Sequence, residues 1–210
     1  MKERRMIFNG EMVRAILGGR KTQTRRPVNS ATSDLLNLQK QYPHKKYNID
    51  CPFGIPGDRI WVRETFQGPL VSEELFEEYL AYPEKFETPQ YCEYAADGGE
   101  KPEYCDLDDN LRHGWRPSIH MPRWASRILL EITTVRVERL NDISQEDAQA
   151  EGMELTGWRP TYADPDSGGD YETPYDNFAA LWESIYGEES WKANPWVWVI
   201  EFKRIEGGAA

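Results

Sequence analysis

Cysteine, histidine and positive charge are all scarce in this chain. Its 210 residues include three Cys and three His, and 25 Lys/Arg stand against 36 Asp/Glu for a net charge of −11. Cys51, Cys92 and Cys105 are odd in number and unevenly spaced, which excludes a disulfide framework and leads us to expect a reducing cytoplasm. Cys92, Cys105, His113 and His120 lack the paired spacing of a zinc site, so no metal is expected. There is no Walker loop, no Rossmann fingerprint and no Ser-His-Asp order, so no cofactor is expected either. No apolar run approaches the length of a bilayer span and no signal peptide opens the chain, so a membrane is not an expected partner. The acidic balance also excludes a long nucleic-acid footprint, because each neutralised phosphate needs a cation.

Aromatic residues are abundant, with eight Trp and eleven Tyr, and the length suffices for a hydrophobic core without staples. Against the acidic background one basic run stands out: Gly18-Gly19-Arg20-Lys21-Thr22-Gln23-Thr24-Arg25-Arg26. Residues 1–28 hold eight Lys/Arg and two Glu. A local positive pole on an acidic body suits one particular anion or polar ligand rather than any polyanion.

Asn9 is a good N-cap for Met12, Val13, Ile16 and Leu17 at helical spacing, and Gly18-Gly19 supplies the stop. Residues 29–50 are polar and read as a loop with some helix. From Arg59 to Phe66 the pattern alternates, with Ile60, Val62 and Glu64 on one face of a strand. Ser126 to Leu140 is the longest strand signal, and its change of phase after Ile132 suggests a bulge. Ser144 and Asp147 form a capping box for a short helix closed by Gly152, and Thr173-Pro174 opens another that Gly187 stops. Trp196 to Lys203 alternates as a final strand. Strands separated by single short helices, without regular βαβ alternation, argue for a small mixed barrel in the α+β class.

Taken together, Gly19-x-Lys21-x-x-x-x-Arg26, Gly57-Asp58-x-Ile60-x-Val62, Leu140-x-x-Ile143-Ser144-x-Glu146-Asp147-Ala148-x-x-Glu151-Gly152 and the Trp-rich last strand resemble an ASCH domain. The resemblance covers roughly residues 1–66 and 116–205. It implies a PUA-like mixed β-barrel flanked by short helices, a single domain over 1–205 with insertions at 67–115 and 154–172, and a flexible tail at 206–210. The run Trp115-Arg116-Pro117-Ser118-Ile119-His120-Met121-Pro122-Arg123 is similar to the longer members carried by bacteriophages and prophages, which would place the protein in the cytoplasm of a bacterial host. A further implication is a cleft for RNA, a nucleotide or a modified nucleoside. Small bacterial members deacetylate N4-acetylcytidine with a Lys, a Thr three residues later and a Glu in the helix after the long strand. Those roles fall on Lys21, Thr24 and Glu151, with Arg20, Thr22, Arg25 and Arg26 around them and Trp61, Glu64, His120 and Arg123 as further ligand-binding candidates.

The residues themselves leave two readings open. A Thr hydroxyl becomes a nucleophile only when a base takes its proton, and Lys21 serves as that base only if burial and the neighbouring Arg charges lower its pKa. Equally, Lys21 and Arg26 would bind a phosphate or base edge while Thr24 donates a hydrogen bond, giving a reader without turnover. A ribonuclease and a phage accessory protein that uses the barrel only to bind a partner are further possibilities. On a strand, residues 21 and 24 point to opposite faces, so a shared ligand needs a turn or bulge. Glu151 lies at the helix end where a carboxylate gains nothing from the dipole; pairing with the basic run would account for it. Glu64 reads either as a salt-bridge partner of Arg63 or Arg127 or as a pocket group. Trp61, Trp115 and Trp124 either pack or stack on a base.

Overall fold

A computed structural model of the chain describes residues 1–105, 111–153 and 173–205. The expected insertion at 154–172 and tail at 206–210 lie outside the described residues. In chain order the regular elements begin with β1 (Glu3–Ile7), α1 (Gly10–Leu17), β2 (Gln23–Pro27), α2 (Ser30–Gln41), β3 (Arg59–Arg63) and β4 (Phe66–Gln67). There follow α3 (Phe76–Ala81), β5 (Glu93–Tyr94), β6 (Glu103–Cys105) and β7 (Leu111–His113). The chain continues through β8 (Leu129–Arg139), α4 (Gln145–Ala150), α5 (Pro174–Tyr186), α6 (Glu189–Lys192) and β9 (Trp196–Ile205). The class is α+β. A mixed five-stranded sheet runs in the order β1-β3-β8-β9-β2, beside the two-stranded pairs β4-β5 and β6-β7. The expected barrel is not formed: β1 and β2 are the outer strands of the sheet and do not pair with each other. No helix among the described residues is long and apolar enough to cross a membrane.

Two compact units divide the chain. The first comprises Met1–Leu17 and Arg59–Glu131 with the end of β9 from Arg204. In it β1 runs parallel to β3, with Glu3 opposite Arg59 and Ile7 opposite Arg63, and β3 pairs antiparallel with the start of β8. The Asn9 side chain accepts the Met12 amide at 2.8 Å, as its N-cap position predicts, and α1 buries Met12, Val13, Ala15 and Ile16. Segment 67–115 belongs to this unit. Its Tyr94 packs with Phe66, Met121 and Ala125, and Cys92 and Trp124 lie against them. Here Gly68 is needed for close approach: a Cβ would stand 2.6 Å from Cys92 Sγ and 2.9 Å from the Tyr91 carbonyl oxygen.

The second unit comprises Gly18–Asp58 and Ile132–Lys203. Its β2 pairs antiparallel with β9, Gln23 opposite Glu201 and Pro27 opposite Val197. Ser144 Oγ accepts the Asp147 amide at 3.0 Å and Thr173 Oγ1 accepts the Asp176 amide at 3.2 Å, so α4 and α5 begin at the capping residues expected. Both faces of β9 are buried, Val197 and Val199 on one and Trp198, Ile200 and Phe202 on the other. The 12-residue helix α2 supplies the helix expected within residues 29–50 and takes up more than half of that stretch. Asn29 caps it through the Thr32 amide at 2.8 Å, and it buries no residue. With no apolar stripe to bury, it carries no periodic signal.

Candidate functional site

Gly18-Gly19 form a turn and Arg20, Lys21 and Thr22 lie in no regular element, while from Gln23 onward the basic run becomes a strand. Its charged residues are poor strand formers, and the pairing with β9 decides the matter. The Thr22 amide donates to the Ala150 carbonyl at 2.8 Å and the Phe202 amide to the Thr22 carbonyl at 2.8 Å, so the start of β2 is held between β9 and the end of α4. Side chains then alternate. Gln23 and Arg25 share the face towards α4, and Thr24 and Arg26 take the other.

On the α4 side the cations meet carboxylates from distant parts of the chain. Lys21 Nζ donates to Glu151 Oε2 at 2.6 Å and to the Glu151 carbonyl at 2.9 Å. The second bond satisfies one of the open carbonyls at the end of α4. Arg25 Nη1 donates to Glu151 Oε1 at 3.1 Å, and Nη2 reaches Glu138 Oε1 at 2.5 Å and Asp147 Oδ2 at 2.9 Å. The Gln23 side-chain amide donates to the Asp147 carbonyl at 2.6 Å. Arg136 joins from β8, binding Asp147 Oδ2 at 2.8 Å, Glu138 Oε2 at 3.2 Å and the Glu201 carboxylate. The Arg25 guanidinium lies over the Phe178 ring of α5, 5.7 Å from its centroid. The side chains of Lys21 and Arg25 are 0% exposed and that of Glu151 is 2% exposed.

Burial pushes the Lys21 ammonium below the ordinary lysine range; Glu151 opposes the shift, and Arg26 and Arg25 add to it. For Asp147, burial acts to raise the carboxyl, but the Gln23 amide and the charges of Arg25 and Arg136 outweigh it and hold the group below the usual range. A carboxyl held low in the folded state stabilises the protein above its unfolded pKa, and that stability is lost as pH falls through the folded value. Asp147→Asn is therefore expected to flatten the acid limb. Urea midpoints taken between about pH 5 and 3 should fall less steeply in the variant than in the parent.

Of the expected convergence of Lys21, Thr24, Arg26 and Glu151, the structure joins Lys21 to Glu151 and brings in Arg25 rather than Thr24 and Arg26. Thr24 is buried but lies on the opposite face of β2, with Ile200 across from it. Arg26 shares that face and is partly buried, while Arg20 and Thr22 are exposed. Trp61, Glu64, His120 and Arg123 belong to the first unit. There the Arg63 guanidinium lies over Trp61 at 5.7 Å, Arg123 donates to Glu3 at 3.1 Å and His120 is exposed. Glu64 takes the salt-bridge reading, gripped by Arg127 through two bonds of 3.0 Å each. Gln23, Arg136 and Glu138 are part of the network but carry no local sequence signal; the pairing of their strands brings them together, and Phe178 reaches the Arg25 guanidinium from α5. Among the described residues no group of three or more His, Cys, Asp or Glu side chains is arranged to hold a metal ion.

Comparison with known proteins gives no match: no family model, no curated protein and no solved structure corresponds to this chain.

Proposed function

We propose that the chain is an ASCH-type, PUA-like protein that binds a modified nucleoside and hydrolyses the amide of an acylated cytidine, with Lys21 as base and Glu151 as its orienting partner. The observation that carries this reading is the dehydrated Lys21–Glu151 pair. Burial lowers the Lys21 pKa, which eases loss of its proton, and in its neutral form the amine has two N–H groups and one lone pair. Both hydrogens are accounted for by the Glu151 carbonyl and carboxylate, which leaves the lone pair to accept a proton. Arg25 also donates to Glu151 Oε1, so the carboxylate keeps a second partner when Lys21 gives up its proton. Water then adds across the amide C–N bond, directly or through the Thr24 hydroxyl, releasing cytidine and a carboxylic acid.

The strand alternation that turns Thr24 away from Gln23 and Arg25 favours a second reading, a nucleoside or RNA reader without turnover. Incubation with N4-acylated cytidines and short RNAs, followed by mass spectrometry, separates the two. The hydrolase reading expects deacylated product that disappears in Lys21→Ala, and loss of product in Thr24→Ala as well would select the route through its hydroxyl over direct attack by water. Binding without product, weakened in Lys21→Ala, supports the reader. Neither binding nor product would overturn both.

A further inference from the structure

Segment 67–115 contains thirteen Asp/Glu and three Lys/Arg, so most of the chain's net negative charge sits in less than a quarter of its length. In the same segment the first unit has a cavity of about 600 Å³, within the usual range for small-molecule sites. Its walls are of three kinds. Leu70 and Leu111 are aliphatic, Tyr79 and Tyr104 are aromatic, and Glu73 and Glu103 are acidic. No Lys, Arg or His is among the described lining residues. Among the described residues Glu73 has no bonded cation, and the exposed Glu103 faces only the exposed His113, at 3.4 Å. Arg112 stands across the β6–β7 pair from Tyr104 but is not a lining residue. Tyr79 is held in place, its ring edge-on to the buried Phe86 at 5.6 Å and beside Phe76 at 6.5 Å.

An aromatic face attracts a cation through its quadrupole, a carboxylate through its charge, and an aliphatic wall takes methylene groups. One ligand class meets all three, an alkyl chain carrying ammonium groups. We propose that this cavity binds an aliphatic polyamine, with its ammonium groups at Glu73, Glu103 and the tyrosine rings and its methylenes against Leu70 and Leu111. The site lies outside the Lys21–Glu151 centre and stands independently of the hydrolase reading.

Calorimetric titration of the full chain with spermidine tests it. A single saturable site is expected, and Glu73→Gln with Glu103→Gln should weaken it about tenfold or more. Tyr79→Leu should weaken it about fivefold. The charge-matched control Glu84→Gln with Glu87→Gln, in the same acidic segment but outside the cavity lining, should leave binding unchanged. Multiple non-saturating sites, displacement by an equal charge of Mg²⁺, equal weakening in the control, unchanged binding in the Glu73/Glu103 variant, or equal binding of the neutral 1,8-octanediol would each overturn the proposal.

Discussion

Replacing Glu151 with leucine is expected to destabilise the protein by about 3–5 kcal/mol, because it leaves the Lys21 ammonium buried without its carboxylate. Arg25 is less affected, since Glu138 and Asp147 still hold it. The pH dependence distinguishes this cause from lost packing. Burial already lowers the Lys21 pKa and Glu151 opposes that shift, so the variant lowers it further. Between the folded value and the ordinary lysine range the unfolded chain binds a proton that the folded chain does not, so stability rises with pH there. The deficit of Glu151→Leu should therefore shrink on going from about pH 7 to pH 10. The double variant Lys21→Met/Glu151→Leu removes both charges and should recover most of the loss at neutral pH. Urea denaturation read by tryptophan fluorescence gives all three values. A single variant within about 0.5 kcal/mol of the parent would refute the account.

The second large effect belongs to the first unit. Arg127→Leu should cost about 3 kcal/mol. The Glu64 carboxylate, 1% exposed, loses both of its bonds to Arg127. Asp97, half-exposed, is rehydrated instead, and Tyr94 loses a guanidinium 3.9 Å from its ring centroid. Burial raises the Glu64 pKa and Arg127 acts against it, so without Arg127 the pKa climbs. A carboxyl raised in the folded state takes up a proton that the unfolded chain does not hold, and stability falls as pH rises through that interval. The deficit should consequently narrow at about pH 5 relative to pH 7. Adding Glu64→Gln to Arg127→Leu should make the deficit independent of pH in this range. A deficit that stays equal at both values in the single variant would assign the loss to packing alone.

What could be read from the chain alone follows from where the governing interactions lie. Caps are local, so α1, α4 and α5 start at Asn9, Ser144 and Thr173 as their side chains indicate. Strand alternation is local too: β3 and β8 fall within the ranges it marks, and β9 starts at Trp196 as expected and runs on to Ile205. By contrast β1, Glu-Arg-Arg-Met-Ile, and β2, Gln-Thr-Arg-Arg-Pro, have little strand character of their own and exist through partners some 50 and 175 residues away. Barrel closure would depend on those two strands pairing, which no local pattern reports. At the site, the Lys21–Glu151 contact was legible because a helix C-terminus is a poor place for a carboxylate and an acidic chain rarely gathers cations. Arg25 was legible as part of the run, though not that three carboxylates would hold it. Glu138 looks like an ordinary surface acid in sequence and Asp147 like a helix-capping residue, and only the fold delivers both to one guanidinium.

The alternation along β2 also governs how the strand can be threaded. If β2 slid by one residue against β9, every side chain would change face. Arg25 would then lie on the side of Trp198, Ile200 and Phe202, and Glu138, Asp147 and Glu151 would lose the cation that joins them. A strand rich in leucine or valine would tolerate such a slip with modest loss, since one apolar contact replaces another. Here each misalignment strands several charges in a dry interior, so the polar residues act as a combination that only one alignment opens. For anyone grafting this strand or recombining it with another sequence, the spacing of Gln23 and Arg25 relative to Glu201 and Val199 matters more than the hydrophobicity of the segment.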